Sequence, residues 1–139
     1  MTLHDELSAP EDRPLVATIL GDAGMGKTRL AATFPNPVFI RSEDGMQSIP
    51  RDQRPAAFPI LKSADALWEQ MTRLIKEKHD FQTLVIDSVT KLDLMFIQDI
   101  MEKDKASGGT AKSINQALGG YGAGREAVSA AHARLRRAA

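Results

Sequence analysis

The distribution of apolar residues along the chain predicts short strands that alternate with longer helices. Three short apolar runs, at Leu15–Leu20, Val38–Ile40 and Thr83–Ile86, are typical of buried parallel strands. Phe58–Leu61 predicts a further edge strand, because Pro59 within it cannot donate a backbone hydrogen bond. Each buried run ends in a polar or glycine-containing segment, which places loops at the ends of the strands.

Helical periods fill much of the chain between these runs. Apolar residues recur at helical spacing from Ala64 to Ile75, directly after Ser63, a residue suited to cap a helix start. Further helices are predicted from about Lys27 to Phe34, from about Thr90 to Lys105, and from near Arg125 to Ala139. Strands that alternate with helices predict an α/β fold, a parallel sheet flanked by helices.

Length and composition favour one globular domain. The 139 residues are 42% hydrophobic and 26% charged, which suits a packed core. Residues 1–13 contain Pro10 and no apolar period, so we expect a mobile leader before a domain that spans residues 14–139.

Charge and cysteine content exclude some functions. The 18 basic residues balance 18 acidic ones, so composition gives no argument for a nucleic-acid partner. The absence of cysteine excludes disulfides and thiolate metal sites. The start of the chain does not resemble a signal peptide, and its apolar runs are too short to cross a bilayer. We therefore expect a cytoplasmic protein with no membrane partner.

The segment Gly21–Thr28, Gly-Asp-Ala-Gly-Met-Gly-Lys-Thr, matches the phosphate-binding pattern G-x-x-x-x-G-K-[ST]. Its glycines allow positive φ angles, so that backbone N–H groups can surround phosphate oxygens. Lys27 supplies a cation to the β- and γ-phosphates, and the Thr28 hydroxyl is a ligand for Mg²⁺. We predict ATP and Mg²⁺ as cofactors. The predicted nucleotide-binding residues are Gly21, Asp22, Ala23, Gly24, Met25, Gly26, Lys27, Thr28 and Arg29.

Carboxylates follow two of the predicted strands. Asp87 ends the run Thr83–Ile86, where it can hold the shell of a magnesium ion through water, so Thr28 and Asp87 are the predicted metal residues. A carboxylate beyond Val38–Ile40 can activate the water that attacks the γ-phosphate. Glu43 and Asp44 are both candidates for that role.

The stretch Leu84–Val89, Leu-Val-Ile-Asp-Ser-Val, resembles the RecA family. In that family this strand ends in Asp-Ser, and the catalytic glutamate lies beyond the strand that follows the P-loop helix. Glu43 stands in that place. The resemblance therefore implies Glu43, together with Lys27, as the catalytic residues.

The order of segments is similar to that of short RecA-like ATP-binding proteins of tailed phages. The shared segments are the turn Phe34–Pro37, the strand and acidic loop Val38–Gly45, and the Gly-Tyr-Gly-x-Gly stretch Gly120–Gly124. The resemblance implies a RecA-like ATPase of phage DNA recombination and single-strand annealing. It also implies ATP, single-stranded DNA and further copies of the chain as partners, in the cytoplasm of a bacterial host.

The carboxyl end departs from this family, whose sheet continues with further strands. The last helix has no stop signal before Ala139, so we expect an amino-terminal fragment with a partial RecA-like domain. The alternative function is a P-loop kinase or other small-molecule phosphotransferase, although no arginine-rich lid segment is evident. A third reading is a protein that binds ATP without turnover.

Two other features leave alternatives open. Tyr121, among glycines, is interpreted as a loop anchor, with stacking on a base as the alternative. Four arginines near the carboxyl end form either a solvated helix face or a surface for DNA or another subunit. They are Arg125, Arg134, Arg136 and Arg137.

Overall fold

The computed structural model describes residues 1–138 and contains a parallel three-stranded sheet. Its strands are β1 (Pro37–Arg41), β2 (Ala56–Ala57) and β3 (Thr83–Asp87), in the order β2-β1-β3. β1 and β3 pair along their whole length, and in this register Arg41 lies opposite Asp87. The prediction that the second and third apolar runs are strands of one parallel sheet is confirmed. β3 is only half-buried because it forms the edge of the sheet in residues 1–138.

The longer helices follow the predicted periods. Ser63 caps the helix Ala64–Lys76, where its hydroxyl accepts a hydrogen bond from the Ala66 N–H, and Ser88 caps the helix Val89–Ala106 by accepting from the Lys91 N–H. Ala139, which the last helix was predicted to include, lies outside the described residues. No helix within residues 1–138 has the length and apolar character needed to cross a membrane. The helices are α1 (Leu3–Glu6), α2 (Lys27–Ala31), α3 (Ala64–Lys76), α4 (Val89–Ala106) and α5 (Ala123–Ala138).

Helices and turns cover the two faces of the sheet. On one face Ile40 packs with buried residues of α3, α4 and α5, among them Leu67, Leu92 and Phe96. On the other face Phe39 packs against Ala31 of α2 and the 3₁₀ turn that begins at Met46. Alternate residues of β1 therefore join two separate cores, as expected for a strand with helices on both sides.

The predicted strand at Leu15–Leu20 is wrong for this structure. The segment has no regular secondary structure, and Leu15, Val16 and Leu20 are more than two-thirds exposed. A strand needs a neighbour to satisfy its backbone groups, and within residues 1–138 no strand lies beside this segment. Only Ile19 packs against the core, beside α2.

Two other predicted elements have different bounds, and the leader contains a helical turn. The edge strand is Ala56–Ala57 rather than Phe58–Leu61, although the N–H groups of Phe58 and Leu61 still bond to β1 on either side of Pro59. The helix after the P-loop ends at Ala31 and continues as turns to the proline that follows. The leader contains the single turn α1, none of which is buried.

Tyr121 and Arg134 also differ from their first interpretations. The Tyr121 side chain is fully exposed, so it does not anchor its loop. The Arg134 guanidinium lies 4.0 Å from the centre of the Trp68 ring, so this arginine packs on an aromatic face rather than pointing only into solvent.

Candidate functional site

The carboxyl ends of β1 and β3 lie at the same edge of the sheet. Their parallel register ends with Arg41 opposite Asp87, and the Ser42 N–H continues the pairing by donating to the Asp87 carbonyl at 2.8 Å. Loops that leave parallel strands at one edge are the usual position of sites in α/β folds. The predicted carboxylates, Glu43 and Asp87, both belong to this edge.

The predicted phosphate-binding loop has the backbone geometry that its glycines allow. Gly24 and Gly26 have φ angles of +82° and +86°, and α2 begins directly at Lys27. The Lys27 ammonium donates to the carbonyls of Gly21 at 2.6 Å and Asp22 at 2.7 Å. Because α2 has only five residues, its dipole is small. The loop N–H groups and the Lys27 ammonium are therefore the main sources of positive charge at the loop.

The loop meets the end of β3 through one side-chain contact. The Thr28 hydroxyl donates to Asp87 Oδ2 at 2.7 Å, although these residues are 59 positions apart in the sequence. The contact is partly buried, whereas the other predicted nucleotide-binding residues with side chains, Asp22, Ala23 and Met25 of the loop and Arg29 of α2, are exposed and lie outside it. The structure thus brings together the two residues predicted as magnesium ligands.

Gly45 lies against this pair. An ideal Cβ at this position would stand 2.9 Å from Thr28 Oγ1 and 3.1 Å from Asp87 Oδ2. Its φ of −84° is open to every residue, so space rather than conformation requires a glycine here. A hydroxyl oxygen and a carboxylate oxygen 2.7 Å apart are oxygen ligands of the kind that magnesium takes in proteins, so the residues present fit this cation.

The two rival carboxylates have different surroundings. Asp44 accepts a hydrogen bond from Gln47 Nε2 at 3.0 Å and forms a 3.5 Å ion pair with Arg41. The half-buried Glu43 carboxylate has no hydrogen bond or ion pair to any side chain within residues 1–138. Asp44 therefore stabilises its own loop, and Glu43 is the carboxylate left available for a water molecule.

Sequence reasoning missed two residues of this edge, Ser42 and Gly45. Ser42 bonds to both backbone groups of Ser88, and Gly45 contacts the Thr28–Asp87 pair. The proximity of Gly45 to an acidic loop was visible in the sequence, but it indicated only a turn. Neither residue has a local signal, because the contacts of Ser42 with Ser88 and of Gly45 with Thr28 and Asp87 join segments that are distant in the sequence.

A comparison with family models matches residues 13–139 to the AAA domain. No curated protein and no solved structure gave a significant match. The matched region contains the loop Gly21–Thr28, the strand end at Asp87 and the acidic segment between them. The chain therefore belongs to the AAA domain family, a family of nucleotide-binding P-loop ATPases.

Proposed function

We propose that this chain binds ATP with Mg²⁺ at Gly21–Thr28 and hydrolyses it, as a RecA-like ATPase that acts in DNA recombination. The hydrogen bond between Thr28 Oγ1 and Asp87 Oδ2 carries the proposal, because it joins a P-loop hydroxyl to a carboxylate at the end of a parallel strand. A Gly-rich turn without a ligand has no need for such a pairing. Membership of the AAA domain family supports the same class of function.

In this proposal the loop binds the phosphates through its backbone. Gly24 and Gly26 hold the N–H groups in a nest, and the Lys27 ammonium moves from the loop carbonyls to the β- and γ-phosphates. Thr28 and Asp87 hold the magnesium ion, Asp87 through water. The ion, when bound, neutralises charge that develops on the phosphate oxygens.

Glu43 accepts the proton of the attacking water in this scheme. Its position one residue beyond Ser42 places it at the edge of the sheet that contains Asp87, and its carboxylate is free of side-chain partners in the described residues. Asp44 is held by Arg41 and Gln47, which would have to be displaced before it could serve as the base. This difference in partners favours Glu43.

The finer part of the proposal, action on single-stranded DNA, rests on the resemblance of the segments described above to RecA-like phage proteins. One structural observation is consistent with it. Tyr121 presents a fully exposed ring between two glycines with positive φ angles, and an exposed ring can stack on an unpaired base.

The first prediction tests nucleotide binding. Lys27→Ala should weaken binding of ATP by about 10- to 150-fold, because a hydrogen bond to a charged group contributes about 1.5–3 kcal/mol. A fluorescent ATP analogue titrated in the presence of Mg²⁺ measures the affinity. Lys62→Ala, which removes an exposed cation outside the predicted nucleotide-binding residues, serves as the control and should retain the wild-type affinity. Equal affinities of wild type and Lys27→Ala would contradict the site.

The second prediction compares the two carboxylates. Glu43→Gln should leave ATP affinity nearly unchanged and slow hydrolysis by about 10²- to 10⁴-fold, the usual contribution of a general base. Asp44→Asn should retain turnover near the wild-type rate. Phosphate release under single-turnover conditions measures the hydrolysis rate of both variants, and titration with the ATP analogue measures their affinity. The reverse pattern, with Asp44→Asn inactive and Glu43→Gln active, would assign the base to Asp44.

The third prediction concerns the space beside the metal residues. In Gly45→Ala the added methyl group would crowd Thr28 Oγ1 and Asp87 Oδ2, so the affinity for Mg²⁺ should fall by about 10- to 100-fold. Binding of the ATP analogue in EDTA should remain near the wild-type value, which serves as the internal control. Unchanged dependence of ATP binding on Mg²⁺ would place the ion elsewhere.

The fourth prediction addresses the partner. Single-stranded DNA should increase ATP turnover by the wild-type chain, and double-stranded DNA of the same sequence should increase it less. Tyr121→Ala should reduce this stimulation while leaving DNA-free turnover unchanged, and Tyr121→Phe, which retains the ring, should preserve it. ATP turnover that is unchanged by DNA and requires a small-molecule acceptor would instead favour a phosphotransferase.

A further inference from the structure

Ser42 joins the ends of β1 and β3 beyond their strand pairing. Its hydroxyl donates to the Ser88 carbonyl at 2.8 Å and accepts a hydrogen bond from the Ser88 N–H at 2.9 Å. Its own N–H donates to the Asp87 carbonyl at 2.8 Å. One residue therefore satisfies three backbone groups of the Asp87–Ser88 segment.

The hydrogen bonds between Ser42 and Ser88 form a junction between two segments, and each segment carries a carboxylate beside this junction. Asp87 lies immediately before Ser88, and its carboxylate contacts Thr28. Glu43 follows Ser42 directly, so the backbone that carries its carboxylate starts from the same junction. Ser88 also caps α4, with its side chain accepting a hydrogen bond from the Lys91 N–H at 3.4 Å. Ser42 thus links the segments that carry the two carboxylates.

We propose that Ser42 is a positioning residue that fixes the Asp87 carboxylate and the Glu43 loop relative to each other at the magnesium site. The role rests on the proposed function of that site. Ser42 itself touches neither the metal residues' side-chain oxygens nor the phosphate-binding loop through any hydrogen bond of its own. It acts by holding the backbone on which Asp87 and Glu43 are carried.

The physical basis of this role is that a carboxylate free to reorient binds a cation less tightly. A carboxylate that holds a cation through water must be oriented within a narrow range, and partners behind the ligands commonly set that orientation. Without the Ser42 hydroxyl, the Ser88 N–H loses its partner at a partly buried position, and the Ser88 carbonyl keeps only the helical bond from the Leu92 N–H. The Asp87–Ser88 segment can then rotate, which moves the Asp87 carboxylate away from Thr28.

The experiment compares four variants with wild type. Ser42→Ala removes both side-chain hydrogen bonds, and Ser42→Cys weakens them while nearly preserving volume. Ser42→Thr retains the hydroxyl. Ser107→Ala is the matched control, because the Ser107 hydroxyl also donates to a backbone carbonyl, that of Asp104, at the far end of α4. Binding of a fluorescent ATP analogue is measured in EDTA and over a series of Mg²⁺ concentrations, alongside thermal melting.

We expect Ser42→Ala and Ser42→Cys to bind the analogue in EDTA with affinity close to wild type. Their half-saturating Mg²⁺ concentration should rise by about 10- to 100-fold, the usual effect of losing a partner behind a metal ligand. Ser42→Thr and Ser107→Ala should match wild type in both conditions. Should Ser42→Ala fail to fold, Ser42→Cys and Ser42→Thr still decide the question.

Two different failures can be told apart. In the first failure, binding of the analogue by the wild type depends on Mg²⁺, and Ser42→Ala or Ser42→Cys has the same half-saturating Mg²⁺ concentration. Ser42 then only stabilises the fold, even if the melting temperature falls, and the positioning role is wrong. A Ser42→Thr variant as impaired as Ser42→Cys would overturn it as well. If the wild type itself binds nucleotide without any response to Mg²⁺, the proposed magnesium site is wrong, and this role of Ser42 with it.

Discussion

The parallel register of β1 and β3 is the constraint on which the rest of the site depends. It places Arg41 opposite Asp87, so both strands end at the same level, and the segments that follow begin side by side. A shift by one residue would turn the Asp87 side chain to the other face of the sheet, away from Thr28. The register is set by burial, because Phe39 and Ile40 must enter opposite cores. The hydrophobic pattern of one short strand therefore helps to determine where the Asp87 carboxylate meets Thr28.

Much of this arrangement could be predicted from the sequence because its signals are local. The P-loop pattern, the apolar period of α3 and the strand that ends at Asp87 are each formed by residues that lie close together in the sequence. The Thr28–Asp87 contact followed from combining two such signals with the general geometry of P-loop sites. Ser42 and Gly45 could not be found in this way. A serine before an acidic loop and a glycine after it are ordinary in any turn, and their roles arise only when β3 pairs with β1.

The error at Leu15–Leu20 has a different physical origin. The run is apolar and rich in β-branched residues, a composition that favours a strand, but strand formation is not a property of one segment. The apolar side chains would be buried only if a neighbouring strand and a covering layer were present, and residues 1–138 place neither beside them. The Phe58–Leu61 error is milder. Pro59 removes one donor, so the backbone bonds to β1 on both sides of it without forming a continuous ladder.

The contacts of Lys27 bear on how such a small helix can serve the proposed phosphate site. Its ammonium satisfies two carbonyls of its own loop, Gly21 and Asp22, which draws the loop into a closed turn. In the proposed function, phosphate oxygens with formal negative charge replace these two neutral carbonyls, so the Lys27 ammonium gains a partner of opposite charge. The positive φ angles of Gly24 and Gly26 are already present in this loop, a backbone conformation that residues other than glycine rarely adopt. A loop that already has the conformation of the proposed site loses less backbone freedom on binding, which leaves more of the interaction energy to the affinity.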